Sequence, residues 1–387
     1  MAKKTSFLYV LTSSHEDFYC EQAIFSITSL KKYNPDAYII LLTERDTYKS
    51  LTGFRAKIKE LANKVKVIDF PSNLSLTVRS RLLKTSMRNL IRGDFLYIDC
   101  DTIICKNLEK INKLNCQMGA VLVMHKLFDE SCSGLNILMK KLNFAEIPIG
   151  GKYFNGGILY VKDTKQTRDF FKLWNKLYLH CVSTKNYKDQ MSLNEANKRF
   201  ANIIKELPGY WNCMPSRGGF NYLCDAKIFH YVTTMPGNED VHILLDIAFW
   251  EKIREKGKMD KFSMNAIKNV KKLFGKFIPV SQNSLTYPSI TIEKRKLQNK
   301  KLYIWGCGLD AYFTLGACKK NGLHIEGFID SNLSGSFCGY NVQKSNAILN
   351  RVERNFFIII SSRKYSKEIG KICEKSKLRE GEDFWKP

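Results

Sequence analysis

Two aspartates separated by one residue, Asp99 and Asp101, close a short apolar segment of the chain. The residues before them, 95–98, are Phe-Leu-Tyr-Ile, and such β-favouring apolar residues predict a buried strand. Alternate side chains of an extended chain point the same way, so both carboxylates can face one site while Cys100 packs behind them. Like charges beside a core strand need a cation, and a divalent metal that carries a phosphate is the most useful one. The alternative is a strand-end turn in which one aspartate caps the next segment.

The elements that must position this pair alternate between strands and helices. In chain order the patterns predict a strand over 6–11, a helix over 20–32, strands over 38–42 and 65–70 with a helix over about 53–64 between them, and a basic helix over 80–90. This order predicts an open, largely parallel α/β sheet. Ligands bind beyond the carboxyl ends of the strands in such sheets, and Asp99 and Asp101 lie at such an end.

The composition indicates a folded chain with more than one domain. Hydrophobic residues make up 44% of the 387 residues and aromatic residues 12%, which is enough for a proper core and excludes a disordered protein. Positive charge accumulates after residue 245, and Pro279 and Pro288 interrupt the pattern there. We therefore expect a first domain over 1–245, a basic helix and linker over 246–300, and a small α/β domain over 301–387.

The net charge of +25 predicts an anionic partner, which could be a phosphate, nucleic acid or an anionic lipid surface. The twelve cysteines show no paired Cys-x-x-Cys spacing, which argues against zinc ribbons and small disulfide scaffolds and is typical of a reducing cytosol. No window reaches the roughly 18 apolar residues that a membrane span needs. These features predict a cytoplasmic protein that is soluble or at most peripheral to a membrane.

Five segments of the first domain occur in an order that resembles a known family. They are Arg81 in the basic helix, Leu96-Tyr97-Ile98-Asp99-Cys100-Asp101-Thr102-Ile103-Ile104, Phe154-Asn155-Gly156-Gly157-Ile158-Leu159, Asp189-Gln190 with Leu193-Asn194, and His230-Tyr231. Together they resemble the motifs of the retaining glycosyltransferases of family 8, which have a GT-A type, Rossmann-like nucleotide-diphospho-sugar fold. The resemblance covers residues 6–235 and implies that 1–245 is a glycosyltransferase catalytic domain.

The resemblance implies a metal held by Asp99, Asp101 and His230. Such a metal would stabilise the charge that builds up on a diphosphate as it leaves the sugar. Carboxylates suit Mn²⁺ or Mg²⁺, and one imidazole favours Mn²⁺. Arg81 is expected to bind the diphosphate or to hold an aspartate in place. Its alternative is a solvated charge on a helix.

The resemblance also implies a sugar pocket. Asp189 is the candidate carboxylate beside an oxocarbenium-like anomeric carbon, with Gln190 on the reacting face. The alternative for Asp189 is a helix N-cap, and both roles can hold at once. Asn155 would bind sugar hydroxyls while Gly156 and Gly157 let the sugar approach the backbone, although this segment could be a simple turn.

Thr12 and Ser13, at the end of the first strand, occupy the region where the family holds the uracil base. One departure lies after His230, where the family usually carries a Gly and then Lys-Pro-Trp. Residues 232–237 of this chain are Val-Thr-Thr-Met-Pro-Gly, without Lys or Trp. Another basic side chain must therefore neutralise the diphosphate, or the donor binds more weakly.

The small domain contains a candidate second nucleotide site. Gly306, Gly308 and Ala311 follow a predicted strand and open a predicted helix, and Asp330 ends the next strand, close to the dinucleotide fingerprint. The alternative is a scaffold that keeps its glycines for tight packing and binds nothing. A nicotinamide oxidoreductase built on these glycines would leave the first 245 residues unexplained.

Residues 264–277 repeat apolar side chains at helical spacing with lysines between them, which predicts a basic amphipathic helix. Its apolar stripe could dock on an anionic membrane surface or pack on the first domain.

The resemblance implies a metal-dependent retaining transferase that moves a hexose, most simply glucose or galactose, from a UDP-sugar to a glycan or lipid-linked glycan acceptor. We expect a cell-envelope acceptor such as lipopolysaccharide or capsular polysaccharide, and a location in the cytoplasm, peripheral to the inner face of the membrane. The alternative is a catalytically inactive transferase fold that binds nucleic acid or an anionic surface. No nucleic acid is expected, because no known nucleic-acid module occurs.

Overall fold

The computed structural model describes residues 5–129, 133–223, 225–232, 243–273 and, within 297–386, all but 298, 309, 312–313, 316–317, 319–322, 339, 352 and 363–364. The chain divides into two compact units. The larger contains the described residues up to Gly219, from Ala226 to Val232 and from Ile243 to Val270. The smaller contains Phe220–Asp225 and the described residues from Lys271 onward.

The larger unit alternates strands and helices, as the sequence pattern predicts. Its strands are β1 Ser6–Leu11, β2 Ile39–Glu44, β3 Lys64–Ile68, β4 Phe95–Ile98, β5 Thr102–Ile104, β6 Met118–Ala120, β7 Ile158–Val161, β8 Ile204–Glu206 and β9 Ile228–His230. Its helices are α1 Tyr19–Tyr33, α2 Arg45–Ser50, α3 Lys57–Leu61, α4 Leu76–Leu90, α5 Ser133–Lys141, α6 Lys165–Ser183, α7 Asp189–Arg199, α8 Ile247–Lys256 and α9 Lys261–Lys268. The four-residue helix α10, Val270–Leu273, follows directly.

Seven of these strands form one sheet in the order β3-β2-β1-β4-β7-β6-β8. The half from β3 to β4 is parallel, as expected, but β7 runs antiparallel to both β4 and β6. The reason is the excursion after β6, which returns the chain to the edge where β4 ends, so that Ile158 lies opposite Ile98. The sheet is therefore mixed, and β5 and β9 form a separate antiparallel pair.

Helices cover both faces of the sheet, because each strand is apolar on both sides. Along β1, Phe7, Tyr9 and Leu11 join the core that contains α1, while Leu8 and Val10 join the core of α4, α6 and α7. This alternation is the period-two geometry of an extended chain. The result is a three-layer α/β unit with its functional edge at the strand ends.

Two predicted boundaries are wrong. The apolar run at 120–124 predicts a strand, but the strand lies at Met118–Ala120, and its Gly119 fits there because a Cβ at that position would lie 2.9 Å from Cδ2 of Leu207. The helix expected over 53–64 is a 3-10 turn, Gly53–Ala56, followed by the short α3. The spacing of apolar residues does not predict these boundaries, because they depend on where each segment contacts its neighbours.

The single amphipathic helix expected over 264–277 is interrupted. Helix α9 ends at Lys268, Asn269 caps it, and α10 begins at Val270. Ile267 and Val270 are buried while Met264 is partly exposed, so the packing alternative holds for these two apolar side chains. Residues 274–277 lie outside the described part of the chain.

The smaller unit confirms the predicted second α/β sheet. Its strands are β10 Lys301–Trp305, β11 Gly327–Ile329, β12 Gly335–Phe337, β13 Tyr340–Gln343, β14 Phe356–Ile360 and β15 Phe384–Trp385, and its helices include α11 Ser345–Leu349 and α12 Ser366–Lys375. The strand order is β12-β13-β11-β10-β14-β15, parallel except for the β12–β13 pair. Across the described residues of both units, no helix combines the length and apolar character needed to cross a bilayer.

Candidate active site

The acidic pair lies where β4 ends. The N–H of Asp99 donates to the carbonyl oxygen of Gly157 at 2.8 Å, which ties the pair to the start of β7. Strand β5 then pairs with β9 so that Thr102 lies opposite His230. This pairing brings Nε2 of His230 to 3.1 Å from Oδ1 of Asp101, although the two residues are far apart in sequence.

A chain of hydrogen bonds sets the proton on His230. The backbone N–H of Gly157 donates to Oδ1 of Asn155 at 2.8 Å, so the amide group of Asn212, 2.8 Å away, must also donate to that oxygen. The oxygen of Asn212 therefore faces Nδ1 of His230 at 2.9 Å and accepts its proton. In the neutral ring, Nε2 then carries the lone pair and faces Asp101.

Asp99, Asp101 and His230 can hold a divalent metal. One ligand atom from each lies within 4.8 Å of the other two. A lone pair on Nε2 and a carboxylate oxygen repel each other at close range unless a cation binds both. Two carboxylates and one imidazole are ligands that suit Mn²⁺, and Mg²⁺ less closely, so the donor set fits the expected metal.

Gly157 lets these ligands pack closely. A Cβ on Gly157 would lie 2.5 Å from Cε1 of His230 and 2.8 Å from Oδ2 of Asp99, distances that no real side chain tolerates. A Cβ on Gly156 would only make ordinary contacts, the nearest at 3.4 Å to Leu193. Gly157 is therefore required for the close approach of His230 and Asp99, and the contact of the two glycines with a sugar stays a prediction.

Helix α4 places two cations beside the acidic groups. Arg81 and Lys84 are one turn apart and share a face of the helix. Nζ of Lys84 lies 3.3 Å from Oδ1 of Asp99 and 3.4 Å from Oδ2 of Asp189, and Nε of Arg81 lies 3.1 Å from Oδ1 of Asp189. Lys84 is thus a buried bridge between a proposed metal ligand and the proposed catalytic carboxylate.

Asp189 is held ionised despite its burial. Burial by itself would raise the pKa of this carboxyl, but Lys84 and then Arg81 outweigh it and keep the pKa below the ordinary value. Asp189 is the first residue of α7, and the N-cap position belongs to Lys188, which makes no capping bond. The N-cap alternative is therefore wrong, and the carboxylate faces the site.

Tyr97 supports Asp99 from the strand that precedes it. Its hydroxyl donates to Oδ1 of Asp99, and Nζ of Lys84 lies 5.0 Å from the centre of its ring. Burial and the neighbouring carboxylate raise the pKa of Tyr97 well above its usual value, so the phenol stays a donor.

The residues expected at the sugar also lie together. The amide of Asn155 donates to Oε1 of Gln190 at 3.1 Å, which links the segment before β7 to the start of α7. Gln190 follows Asp189 directly, and Tyr153 is buried beside both. The structure thus brings Asn155, Asp189 and Gln190 together beside Asp99 and His230.

Thr12 and Ser13 are buried at the end of β1. The N–H of Ser13 donates to Oγ1 of Thr47 at 3.0 Å, and its hydroxyl lies between Asp17 and Arg55. Tyr19, the first residue of α1 after this loop, lies close enough to Asp101 for the carboxylate to raise its pKa, an effect second to that of burial. The role of the loop in binding a base stays a prediction.

Several buried polar atoms around Asp189 and Asp101 lack a hydrogen-bond partner in the described part of the chain. They are Nε of Arg217 and the hydroxyls of Tyr153 and Tyr178. Buried polar groups are normally paired, and an unpaired group costs free energy. Their concentration here indicates a site for a polar ligand.

Three residues of this site were missed from the sequence. Lys84 could have been found, because it follows Arg81 by one helical turn. Tyr97 also had a signal, since alternation along the strand puts it on the side of Asp99 and Asp101. Asn212 had none, because it lies in an irregular segment with no pattern.

In the smaller unit, the local backbone requires a glycine at 306 but not at 308. Gly306 has a φ of +116° and a Cβ there would lie 2.7 Å from Oγ of Ser361, whereas Gly308 has open space. Oδ1 of Asp330 accepts from the N–H groups of Asn332 and Leu333 at 2.9 and 3.0 Å. Burial, and then the neighbouring carboxylate of Asp330, raise the pKa of Cys307 to about 12. The second nucleotide site stays a prediction beside its scaffold alternative.

The larger unit has the fold of a GT-A type glycosyltransferase, with an acidic pair at the end of its central strand. The chain belongs to glycosyl transferase family 8, because the family model matches residues 11–235, more than half of the sequence. It is therefore a glycosyltransferase.

Comparison with curated proteins gives no match. Among solved structures, the apo form of mouse xyloside xylosyltransferase 1 is similar, with 14% identity and a TM-score of 0.41 over 60% of this chain and 99% of that chain. The galactosyltransferase LgtC in complex with donor and acceptor sugar analogs is similar at 18% identity and a TM-score of 0.44, over 67% of this chain and 99% of that chain.

Proposed function

We propose that this glycosyltransferase moves a hexose, glucose or galactose, from a UDP-sugar to a cell-envelope glycan such as lipopolysaccharide or capsular polysaccharide, with retention at the anomeric carbon. The observation that supports it most is the cluster of Asp99, Asp101 and His230 beside a second, ionised carboxylate, Asp189. The two groups suit the two ends of the bond that breaks, the diphosphate and the sugar.

Asp99, Asp101 and His230 would hold Mn²⁺ or Mg²⁺. Such an ion supplies Lewis-acid stabilisation of the diphosphate as it leaves. Lys84 and Tyr97 orient Asp99, and Asn212 keeps the lone pair of His230 directed at the cluster.

At the sugar end, positive charge develops on the anomeric carbon as the bond to the diphosphate breaks. Asp189 stabilises that charge as a carboxylate, and Arg81 and Lys84 hold it in place from behind. Asn155 and Gln190 offer amide groups to the sugar hydroxyls from one linked pair. Thr12 and Ser13 bind the uracil base at the end of β1.

The test is transfer and metal-dependent hydrolysis by the purified protein, assayed with a panel of UDP-sugars with and without Mn²⁺. Asp99→Asn is expected to abolish both, because the cluster loses a charged ligand. The matched control is Asp36→Asn. Asp36 is an exposed carboxylate just before β2, away from the carboxyl ends of the strands, and its substitution should leave activity unchanged. Full activity of Asp99→Asn would refute the proposal.

The alternative, an inactive fold that binds nucleic acid or an anionic surface, is motivated by the charge of +25. It predicts salt-sensitive binding of nucleic acid that survives Asp99→Asn, with no hydrolysis of any UDP-sugar. Nucleic-acid binding and UDP-sugar hydrolysis, measured on the same preparation, therefore distinguish the two functions.

The enzyme is proposed to work in the cytoplasm at the inner face of the membrane, where lipid-linked acceptors are held. Phe262 and Met264 are partly exposed on α9 next to Lys261 and Lys268. Cosedimentation with anionic but not with neutral vesicles is expected, and loss of that binding in Phe262→Ser would support contact through α9. Equal binding to both kinds of vesicle would contradict it.

A further inference from the structure

The charges around the proposed donor do not balance with the residues assigned so far. Asp99, Asp101 and Asp189 are negative, and Arg81 and Lys84 offset two of them. A divalent metal would leave one net positive charge, while the diphosphate of a nucleotide sugar carries two negative charges. One further cation is needed to neutralise a diphosphate in a water-poor site.

The segment that directly follows β9 does not supply it. Between Lys227 and Lys252 the sequence contains no Lys or Arg. Lys227 is used elsewhere, because its ammonium donates to the carbonyl oxygen of Asn107 and lies over the ring of Trp211. The cation must come from a different segment.

Arg217 lies in the right segment. It ends a 3-10 turn, Pro215–Arg217, shortly after Asn212. Its N–H donates to the carbonyl oxygen of Met214 at 2.9 Å, and Gly218 follows with a φ of +84°. A Cβ on Gly218 would lie 2.9 Å from the carbonyl oxygen of Met124, so the turn is packed against the chain after β6.

The guanidinium of Arg217 is partly buried. Its Nε is buried with no hydrogen-bond partner, and no ion pair to Arg217 occurs among the residues that the structure describes. Burial lowers its pKa, and the groups that oppose this effect are Asp101 and the phenol of Tyr153. Tyr153 in turn lies beside Asp189 and Gln190. The N–H of His230 donates to the carbonyl oxygen of Cys213 at 2.8 Å, so the turn that carries Arg217 directly follows a segment bonded to His230.

We propose that Arg217 binds the diphosphate of the nucleotide-sugar donor. A guanidinium presents two parallel N–H groups to a phosphate, and a partly buried one is stabilised when an anion pairs with it. The proposal rests on the proposed function, since it deepens the description of the same site. It also explains how this chain binds a diphosphate without a lysine after His230.

The test measures binding of UDP and of uridine to the full-length protein with Mn²⁺ present, by titration calorimetry. Arg217→Gln is expected to weaken UDP binding about 10- to 100-fold and to leave uridine binding unchanged, because uridine has no phosphate. Arg217→Lys should fall between the two. The matched control is Arg379→Gln, a 77% exposed arginine in the smaller unit, which removes the same charge far from these residues in sequence.

A second measurement separates binding from folding. Mn²⁺ affinity without nucleotide should be unchanged or slightly tighter in Arg217→Gln, since the lost charge repels the metal. UDP binding within twofold of wild type, or equal losses for UDP and uridine, would overturn the assignment. If wild type itself binds no UDP with Mn²⁺, the proposed function fails, which is a different result from failure of Arg217 alone.

Discussion

Nζ of Lys84 lies 3.4 Å from Oδ2 of Asp189, and both side chains are buried. A buried carboxylate would normally gain a proton, so this ammonium, with Arg81, keeps the group proposed to face the sugar ionised. The same ammonium reaches Asp99, so one side chain of α4 links the two ends of the site.

The first prediction concerns pH. In Lys84→Met, burial is no longer opposed by the lysine, so the pKa of Asp189 rises. The acidic limb of the kcat/KM profile should then move to higher pH by about one pH unit. Lys172→Met, a 69% exposed lysine on α6, is the control and should leave the profile in place. A Lys84→Met profile that superimposes on wild type would show that Asp189 does not need this cation.

The same ion pair should make the stability of the protein depend on pH. Because the folded pKa of Asp189 is depressed, its contribution to stability is present above its unfolded pKa of about 4 and is lost as pH falls through the folded value. The difference in unfolding free energy between wild type and Lys84→Met is therefore expected to be largest near neutral pH and to narrow in acid. Urea unfolding at several pH values measures it.

The second prediction compares the two adjacent glycines. Gly157→Ala should lower Mn²⁺ affinity about 10- to 100-fold, because its Cβ would displace His230 or Asp99. Gly156→Ala should keep metal binding, since its Cβ meets only ordinary contacts. Electron paramagnetic resonance of bound Mn²⁺ measures both. Equal effects of the two substitutions would contradict this account of the cluster.

The third prediction tests the hydrogen-bond chain to His230. Asn212→Leu removes the acceptor for Nδ1, frees the ring to adopt the other tautomer, and should cost about 10- to 100-fold in Mn²⁺ affinity. Asn34→Leu is the control, because Asn34 is also buried but its side chain forms hydrogen bonds with the backbone of Leu30 and Leu108 and not with His230. If both variants lose only stability and bind Mn²⁺ alike, Asn212 is merely structural.

The fourth prediction concerns the loop after β1. Arg254 of α8 donates to Glu21 at 2.8 Å and to the carbonyl oxygens of His15 and Asp17, which fastens this loop. Arg254→Ala is expected to lower the free energy of unfolding by about 1.5–3 kcal/mol and to raise KM for the donor more than it lowers kcat. Lys256→Ala on the same helix removes a surface ion pair and should cost less than about 1 kcal/mol. Unchanged KM in Arg254→Ala would separate this loop from donor binding.

The local sequence determined the parts of the site that lie on one strand or one helix. The period of an extended chain put Asp99 and Asp101 at the end of β4, and the alternation of apolar and polar segments predicted an α/β fold. Arg81 could be placed on a helix for the same reason. These inferences succeed because a strand repeats every two residues and a helix every 3.6, so the spacing of residues along the sequence determines which side chains share a face.

Only the tertiary structure decided which groups meet across the chain. The β5–β9 pairing brings His230 to Asp101, the reversed β7 sets Gly157 against Asp99 and His230, and Asn212 reaches His230 from an irregular segment. The tertiary fold also placed Lys84 between two carboxylates. Such contacts depend on strand order and loop paths, and these are fixed by packing of the whole core, because no short-range period records them.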